Sequence, residues 1–135
     1  MQEEIKKGVS VIVYDIPLYF LIFHRNSNWK GWEFPKGPVI DGEKIEETFQ
    51  KLIKKTGLRK IDVTHKLEGQ RRFKKEGKLH VYDVFLAKTN MNTPVILGKI
   101  DYDTYLWTRE DRVLEKLSWN NEKEVFKKAL EILKK

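Results

Sequence analysis

Apolar and β-branched residues are concentrated in two short runs near the start of the chain. The runs GVSVIVYD and LYFLIFHR, residues 8–15 and 18–25, flank the turn sequence DIP. Such runs on either side of a turn predict an antiparallel hairpin. The segment WEFP is expected to be extended, because the residue before Pro35 is pushed towards the β region. KGPVIDGE, with two glycines and a proline, is expected to be a loop.

A helical pattern follows. Apolar residues recur at spacings of three and four from residue 45 to residue 53: Ile45, Phe49, Leu52 and Ile53. This spacing puts them on one face of a helix that packs on a core. The pattern predicts a helix over residues 45–56 that ends at Gly57.

The second half of the chain repeats both kinds of pattern. Residues 61–73 and 78–89 read as strands joined by the turn KKEG, and residues 91–103 as a loop with a short strand. YLWT predicts a brief strand before a helix at residues 109–117. A closing helix, capped by Asn120 or Asn121, buries a stripe of Val125, Phe126, Ala129, Leu130 and Leu133. Strands interleaved with about three helices predict a layered α/β domain with a mixed β-sheet.

Length and composition indicate the number of domains and the cellular compartment. The chain has 135 residues, so residues 1–135 are expected to form one domain. No apolar run approaches the roughly 18 residues of a membrane-spanning helix, so no membrane association is expected. The charged start MQEEIKKG has no apolar h-region, and cysteine is absent. A cytoplasmic protein without a secretory signal or disulfides is the expectation.

The charge balance favours polyanionic partners. Lysine and arginine total 27 against 20 acidic residues, which gives a net charge of +7. A basic surface attracts nucleotides and nucleic acids through non-specific electrostatics. A composition rich in Lys and Glu without cysteine also suits a thermophilic host, so adaptation is an alternative source of the lysine excess.

The segment WEFPKGPVIDGE resembles the start of the Nudix box. That box runs Gly, five residues, Glu, seven residues, then Arg-Glu-apolar-any-Glu-Glu-any-Gly-apolar. Gly37 and Glu43 match its opening, and Gly57 with Leu58 matches its close. FPKG is typical of the diadenosine tetraphosphate hydrolase branch. RRFKKEGKLHVYDVFLA, DYDTYLWT and the closing helices resemble later segments of that branch, so the similarity covers almost the whole chain in order.

The resemblance implies a Nudix-like α/β/α sandwich and a chemistry. In active members the box glutamates hold magnesium, which neutralises a polyphosphate substrate and activates water. Magnesium requires hard oxygen ligands, so carboxylates are essential to that role.

The second half of the box departs from the family. Counted back from Gly57, the arginine, first glutamate and metal-binding pair become Gln50, Lys51, Lys54 and Lys55; counted forward from Gly37, the glutamate positions become Leu52, Lys55 and Thr56. The two registers differ because the segment is one residue short. Neither supplies a carboxylate, since no Asp or Glu occurs between Glu47 and Asp62. The box is therefore read as degenerate, and no metal or other cofactor is expected.

Other acids are the alternative if the chain is an active hydrolase. The candidate catalytic residues are then Glu43, Glu47, Asp101 and Asp103, with magnesium as the cofactor. Glu47 is better explained as a favourable charge at a helix N-terminus. Glu43 pairs with the box arginine in the family, so here Lys51 or Gln50 is its expected partner.

Lys51, Lys54 and Lys55 share one helical face. One interpretation is a solvated charged surface. The other is that their ammonium groups stand where metal ions would and contact phosphate directly. Both remain open at this point.

Further candidates for ligand contact lie outside the box. Lys36 of FPKG matches a family lysine that contacts phosphate, and Tyr105 matches a family aromatic that stacks on a base or is a core residue beside Trp107. Trp29 is a candidate base platform. The second hairpin interleaves Arg71, Arg72, Lys74, Lys75 and Lys78 with Phe73, His80 and Tyr82, and from these Arg72, Lys78 and Tyr82 are chosen as contacts for a nucleotide or an RNA end. His24, His65 and His80 lack metal-ligand spacing and are read as structural.

Three functions remain. The first is a degenerate Nudix-like domain that binds a nucleotide, dinucleoside polyphosphate or RNA 5′ end without hydrolysing it. The second is an active, divergent pyrophosphohydrolase. The third is a protein-interaction module on the same scaffold, although the sequence names no protein partner.

Overall fold

A computed structural model describes residues 4–27, 29–97 and 102–135. Within them the chain forms seven strands and three helices. In order these are β1 (Ile5–Asp15), β2 (Tyr19–Arg25), β3 (Gly31–Glu33), β4 (Lys36–Pro38), α1 (Ile45–Thr56), β5 (Asp62–Lys75), β6 (Lys78–Lys88), β7 (Tyr102–Thr108), α2 (Glu110–Lys116) and α3 (Asn120–Leu133).

The seven strands form one mixed sheet. β1 pairs in parallel with β6 from Ile5 opposite Leu79 to Tyr14 opposite Lys88. Its other edge is shared by β2 and β4, both antiparallel to it. β5 pairs with β6, and β3 and β7 pair with β2, all antiparallel. The predicted hairpins β1–β2 and β5–β6 and the mixed sheet are therefore confirmed.

Helices cover both faces of the sheet. Successive residues of a strand point to opposite faces, and β1 sends Val11 to one side and Ile12 to the other. Val11 belongs to a core that α1 closes with Phe49, Leu52 and Ile53. Ile12 belongs to a second core closed by residues of α2 and α3: Val113, Val125, Phe126, Ala129 and Leu130. This arrangement confirms the predicted α/β/α sandwich.

The helix predicted from apolar spacing forms over the predicted residues. α1 spans Ile45–Thr56, and Gly57 ends it with φ of 75°. A Cβ on Gly57 would lie 2.1 Å from the carbonyl oxygen of Ile96, so both the backbone conformation and the close approach require glycine. No helix in the described ranges is both long and apolar enough to cross a membrane.

Three local expectations were wrong. Residues 36–38 were expected in a loop but form β4, which pairs with Gly8–Ser10 of β1. β7 is longer than YLWT and begins at Tyr102. α3 has no side-chain cap at its start, because its N-cap residue is Trp119 and both Asn120 and Asn121 lie within the helix, where the Asn121 side chain accepts a hydrogen bond from Arg71. Of the segment 91–103, expected to be a loop with a short strand, residues 91–97 contain no strand, residues 98–101 lie outside the described part, and Tyr102 and Asp103 belong to β7.

Candidate functional site

The outward face of α1 is cationic. Because Phe49, Leu52 and Ile53 point into the core, the helix turns Lys51, Lys54 and Lys55 towards solvent. The three lysines occupy the helix that carries the resemblance to the metal-binding box.

Glu43 is bound by two side chains of this helix. The Lys51 ammonium and the Thr48 hydroxyl each donate a hydrogen bond to its carboxylate. These two hydrogen bonds hold the pKa of Glu43 below its ordinary value. Of the two expected partners of Glu43, Lys51 forms the ion pair and Gln50 is not part of it.

The donor groups around α1 do not fit magnesium. The ion needs several carboxylate or carbonyl oxygens in a near-octahedral arrangement. Here Glu43 is held by Lys51, and Asp103 lies 2.8 Å from Nδ1 of His24. Glu47 is exposed in the first helical turn, and Asp101 lies outside the described residues. Within 4–27, 29–97 and 102–135, no three His, Asp or Glu side chains are grouped to hold a metal.

A second group of residues lies on the other side of the sheet. Lys36 Nζ is 5.8 Å from the centroid of the Trp29 ring and 6.0 Å from that of the Phe73 ring. These distances are in the range of cation–π attraction. Arg71 Cζ is 5.4 Å from the Phe73 centroid. Trp29, Lys36, Arg71 and Phe73 therefore form an aromatic and cationic group, which we call the Lys36 group.

The Lys36 ammonium is partly removed from solvent. Burial lowers its pKa, and the nearby positive charge of Arg71 acts in the same direction. Glu33 opposes this effect with Oε1 at 3.7 Å from Nζ. A poorly hydrated ammonium beside a second cation is a favourable place for an anion.

Tyr82 lies beside the Lys36 group and packs on β1. Its ring lies against Gly8, where a Cβ would come within 2.4 Å of two ring carbons. The Tyr82 ring centroid is 5.5 Å from that of Phe73. The absence of a side chain at Gly8 therefore allows Tyr82 to lie flat on β1.

Arg71 is buried, although it was expected to be a solvent-exposed cation of the second hairpin. Only 2% of Arg71 is exposed. Its NH1 group donates to Glu122 Oε2 at 3.2 Å and its Nε donates to Asn121 Oδ1 at 2.6 Å. Glu122 Oε2 also accepts the Phe34 backbone N–H at 3.2 Å. These contacts tie β5 to the first turn of α3 and to the β3–β4 connection.

Glu33 is the centre of an adjoining ionic group. It is fully buried, and its Oε2 accepts hydrogen bonds from the Arg25 guanidinium at 3.1 Å and the Tyr102 hydroxyl at 2.9 Å. Burial and the neighbouring Glu33 carboxylate raise the pKa of Tyr102. The Tyr102 phenol therefore remains a donor to Glu33.

Two carboxylate oxygens in these groups have no hydrogen-bond partner among the residues that the structure describes: Glu33 Oε1 and Glu122 Oε1. Burial raises the pKa of Glu122 to about 7, against the attraction of Arg71. A buried ionised oxygen without a donor is costly, so protonation of Glu122 relieves it.

The structure brings only some of the predicted contact residues together. Trp29, Lys36 and Tyr82 lie around one region with Phe73. Lys51, Lys54 and Lys55 lie on α1, which covers the opposite face. Tyr105 is opposite Phe23 and so projects towards the α1 side, where it is 40% exposed. Arg72 points away from the Arg71 side and donates to the Gly69 carbonyl, while Lys78 lines a separate cavity at the β5–β6 hairpin.

Sequence reasoning missed the buried charges. Arg71 was grouped with the surface cations of the hairpin, and Glu33 and Glu122 were not selected. One signal was present for Glu122, because it precedes Val125 and Phe126 by three and four residues and so lies on the buried stripe of α3. The partners of Arg71 are 50 and 51 residues away, a separation that local patterns do not reveal.

Comparisons with known proteins identify the fold. No protein-family model matches the sequence, and no curated protein matches it significantly. Among solved structures, the Ap4A hydrolase of C. elegans, in a binary complex, superimposes with a TM-score of 0.79 at 17% identity, over 95% of this chain and 97% of the other. The MutT protein of Methanosarcina mazei gives 0.79 at 19% identity, over 100% and 99%.

A third neighbour was solved with a ligand. The Nudix domain of NrtR from Shewanella oneidensis, complexed with ADP ribose, gives a TM-score of 0.73 at 17% identity, over 98% of this chain and 90% of that one. At these identities the likeness concerns architecture. It extends over nearly the whole length of each protein, and the chain therefore has the Nudix fold.

Proposed function

We propose that this chain binds a nucleotide, a dinucleoside polyphosphate or an RNA 5′ end and does not hydrolyse it by a metal-dependent route. The observation that carries the proposal is the proximity of the Lys36 ammonium to two aromatic rings, at 5.8 Å from the centroid of Trp29 and 6.0 Å from that of Phe73. A nucleotide needs both parts of this arrangement, since its phosphate is attracted to the cation and its base contacts the rings.

The surroundings of Lys36 support an anionic ligand. The lowered pKa of Lys36 reflects burial and the positive charge of Arg71, so a phosphate would favour the charged form of the lysine. Arg71 itself is held by Glu122 and Asn121, which fixes the position of its guanidinium against Phe73. The Lys36 group is therefore ordered before any ligand arrives, which reduces the entropy cost of binding.

The chemistry of α1 supports binding without hydrolysis. Its outward lysines offer ammonium groups where magnesium would need carboxylates. The nearby carboxylate of Glu43 is already bound by Lys51 and Thr48.

The structural neighbours support the ligand class. One is an Ap4A hydrolase, and another is a Nudix domain in complex with ADP ribose. Both names refer to compounds with an adenosine and linked phosphates. A compound of this type is the first probe for the present chain.

The test is calorimetric titration with AMP, ADP, ADP ribose and diadenosine tetraphosphate, each with magnesium and with EDTA. The same samples are then analysed for hydrolysis products. We expect binding in EDTA, weakening with salt, and no products with magnesium. Lys36→Gln should reduce affinity about tenfold or more, whereas Lys30→Gln, at an exposed position in the β2–β3 loop, is the matched control.

Each contrary outcome favours one alternative. Magnesium-dependent product formation, lost on replacing Glu43, Glu47 or Asp103, would establish the divergent hydrolase. Loss of binding in EDTA would refute the replacement of metal by lysine. Absence of binding to every compound would favour the protein-interaction module.

A further inference from the structure

A basic cavity lies at the open end of the sheet face that carries the Lys36 group. Its volume is about 420 Å³, and Lys6, Lys7, Lys75, Lys78 and His80 supply its nitrogen groups. Asp41 and Glu76 also line it, and Glu4 pairs with Lys6 and Lys78. The cavity thus has four lysines and three acidic neighbours before any ligand is considered.

The hairpin holds two of these lysines directly opposite each other. Lys75 and Lys78 are the last cross-strand pair of β5 and β6. Like charges at directly opposed positions of a sheet repel and destabilise the pair. An anion between them would relieve that repulsion, so this end of the cavity favours a phosphate.

The next cross-strand pair on the same face of the sheet connects this cavity to the Lys36 group. Phe73 and His80 are a cross-strand pair whose rings stack at 4.9 Å with an angle of 4°. His80 lines the cavity, while Phe73 is 6.0 Å from Lys36 Nζ. Phe73 and His80 therefore connect Lys36 to the cavity, through centroid distances of 6.0 and 4.9 Å.

From this arrangement we propose that the cavity is a second phosphate subsite for a single-stranded nucleic acid, with one nucleoside over Phe73 and His80 and a phosphate on each side of it. Lys36 binds the phosphate on one side, and Lys75 and Lys78 bind the phosphate on the other. A mononucleotide carries all its phosphates on one side of the nucleoside and fills only one subsite. This inference rests on the proposed function, because it takes the Lys36 group as the first subsite.

The test compares two ligands on the same protein. ADP probes the Lys36 group alone, and a 5′-phosphorylated penta-adenylate RNA probes both subsites. Fluorescence anisotropy with a 3′-labelled RNA, and calorimetry with ADP, give the two affinities. The double variant Lys75→Gln/Lys78→Gln removes the second subsite, and Lys127→Gln/Lys135→Gln, at two exposed positions elsewhere, keeps the same net charge as a matched control.

We expect the hairpin variant to lose about tenfold or more in RNA affinity and less than twofold in ADP affinity. Its salt dependence for RNA should flatten by about 0.7 in logarithmic slope, because one phosphate contact is lost and about 0.7 counterions are released per phosphate contact on a single strand. The control variant should retain the RNA affinity. Circular dichroism and thermal melting establish that both variants are folded.

The outcomes separate this inference from the proposed function. If ADP binds and the RNA binds no more tightly than ADP, or if both double variants weaken RNA equally, the second subsite is refuted and the proposed function stands. If neither ligand binds, both are refuted. If poly-glutamate binds as tightly as RNA and loses the same factor in the hairpin variant, the cavity recognises charge alone and the nucleic-acid assignment fails.

Discussion

Lys51 of α1 donates a hydrogen bond from Nζ to Glu43 Oε2, eight residues earlier in the chain. The pair connects the loop before α1 to the second turn of the helix, and Thr48 donates to the same carboxylate. The Glu43 carboxylate therefore accepts hydrogen bonds from two side chains of the same helix. Because Glu43 is ionised in this pair, the stability of the folded chain is expected to depend on pH.

Replacement of Lys51 by Gln should lower the thermal midpoint at pH 7 by a few degrees at most, since Lys51 is largely exposed. The pKa of Glu43 is lower in the folded chain, so the stabilisation is present above its ordinary value near 4.5 and is lost as pH falls. The difference between wild type and variant should therefore shrink as pH falls below 4.5. Lys54→Gln, on the same helix, is the control, and a difference that does not shrink with falling pH would contradict the assignment.

The buried Glu122 predicts the opposite pH dependence. Its pKa is raised to about 7 by burial, so the folded chain binds an extra proton between about pH 4.5 and 7. The corresponding stability is fully present below about pH 4.5 and declines as pH rises through 7. Urea denaturation should show a loss on the order of 2 kcal/mol between pH 5 and 8 from this group.

Glu122→Gln should flatten that dependence, because the amide keeps an oxygen for Arg71 and does not titrate. Glu124→Gln, on the exposed side of α3, should keep the wild-type curve. A carboxyl carbon NMR titration of Glu122 with a midpoint near 4.5 would show that the folded protein holds Glu122 ionised, contrary to this prediction.

A side chain at position 8 is expected to clash with Tyr82, which lies beside the Lys36 group. Gly8→Ala would place a Cβ within 2.4 Å of Tyr82 ring carbons, so the ring must move. We expect a loss of about 1–3 kcal/mol in the free energy of unfolding, typical of overpacking. Tyr82→Leu in the same chain should recover part of it, because the clashing ring is gone. Strictly additive losses in the double variant would show that the two residues do not interact.

The lysines of α1 lie on the sheet face opposite the Lys36 group, so they predict little effect on a ligand bound there. Lys54→Gln/Lys55→Gln should change the affinities for AMP and diadenosine tetraphosphate by less than about twofold at physiological salt, because distant exposed charges are screened. Lys36→Gln, measured by the same calorimetry, should lose about tenfold. A large loss in the α1 variant would contradict the assignment of the ligand to the Lys36 group.

The sequence predicted those parts of the fold that depend on local periodicity. Ile45, Phe49 and Leu52 were sufficient to place α1, because a helix repeats its buried face every three or four residues. β4 was missed because Lys36, Gly37 and Pro38 have no strand pattern, and the three residues are extended through pairing with β1. The predicted cap of α3 was wrong because the helix begins one residue earlier than a capping asparagine requires, with Trp119 at the N-cap, and Asn121 instead binds Arg71 of β5.

Part of the candidate site was also predicted from the sequence. Trp29, Lys36 and Tyr82 come together, and the ion pair between Lys51 and Glu43 was expected from the family resemblance. The buried ionic contacts of Arg71 with Glu122 and of Arg25 with Glu33 were not expected. Burial of such charges depends on partners that approach only in the folded chain, and composition alone favours their exposure.

The pairing of β1 with β6 has a consequence for how the chain folds. The central strand of the sheet is made from residues 5–15, but its parallel partner does not begin until Lys78. A long intervening loop must therefore be closed before this pairing contributes any stability. A sheet dominated by such distant pairs folds slowly for its size, and the parallel pairing of β1 with β6 is expected to limit the folding rate.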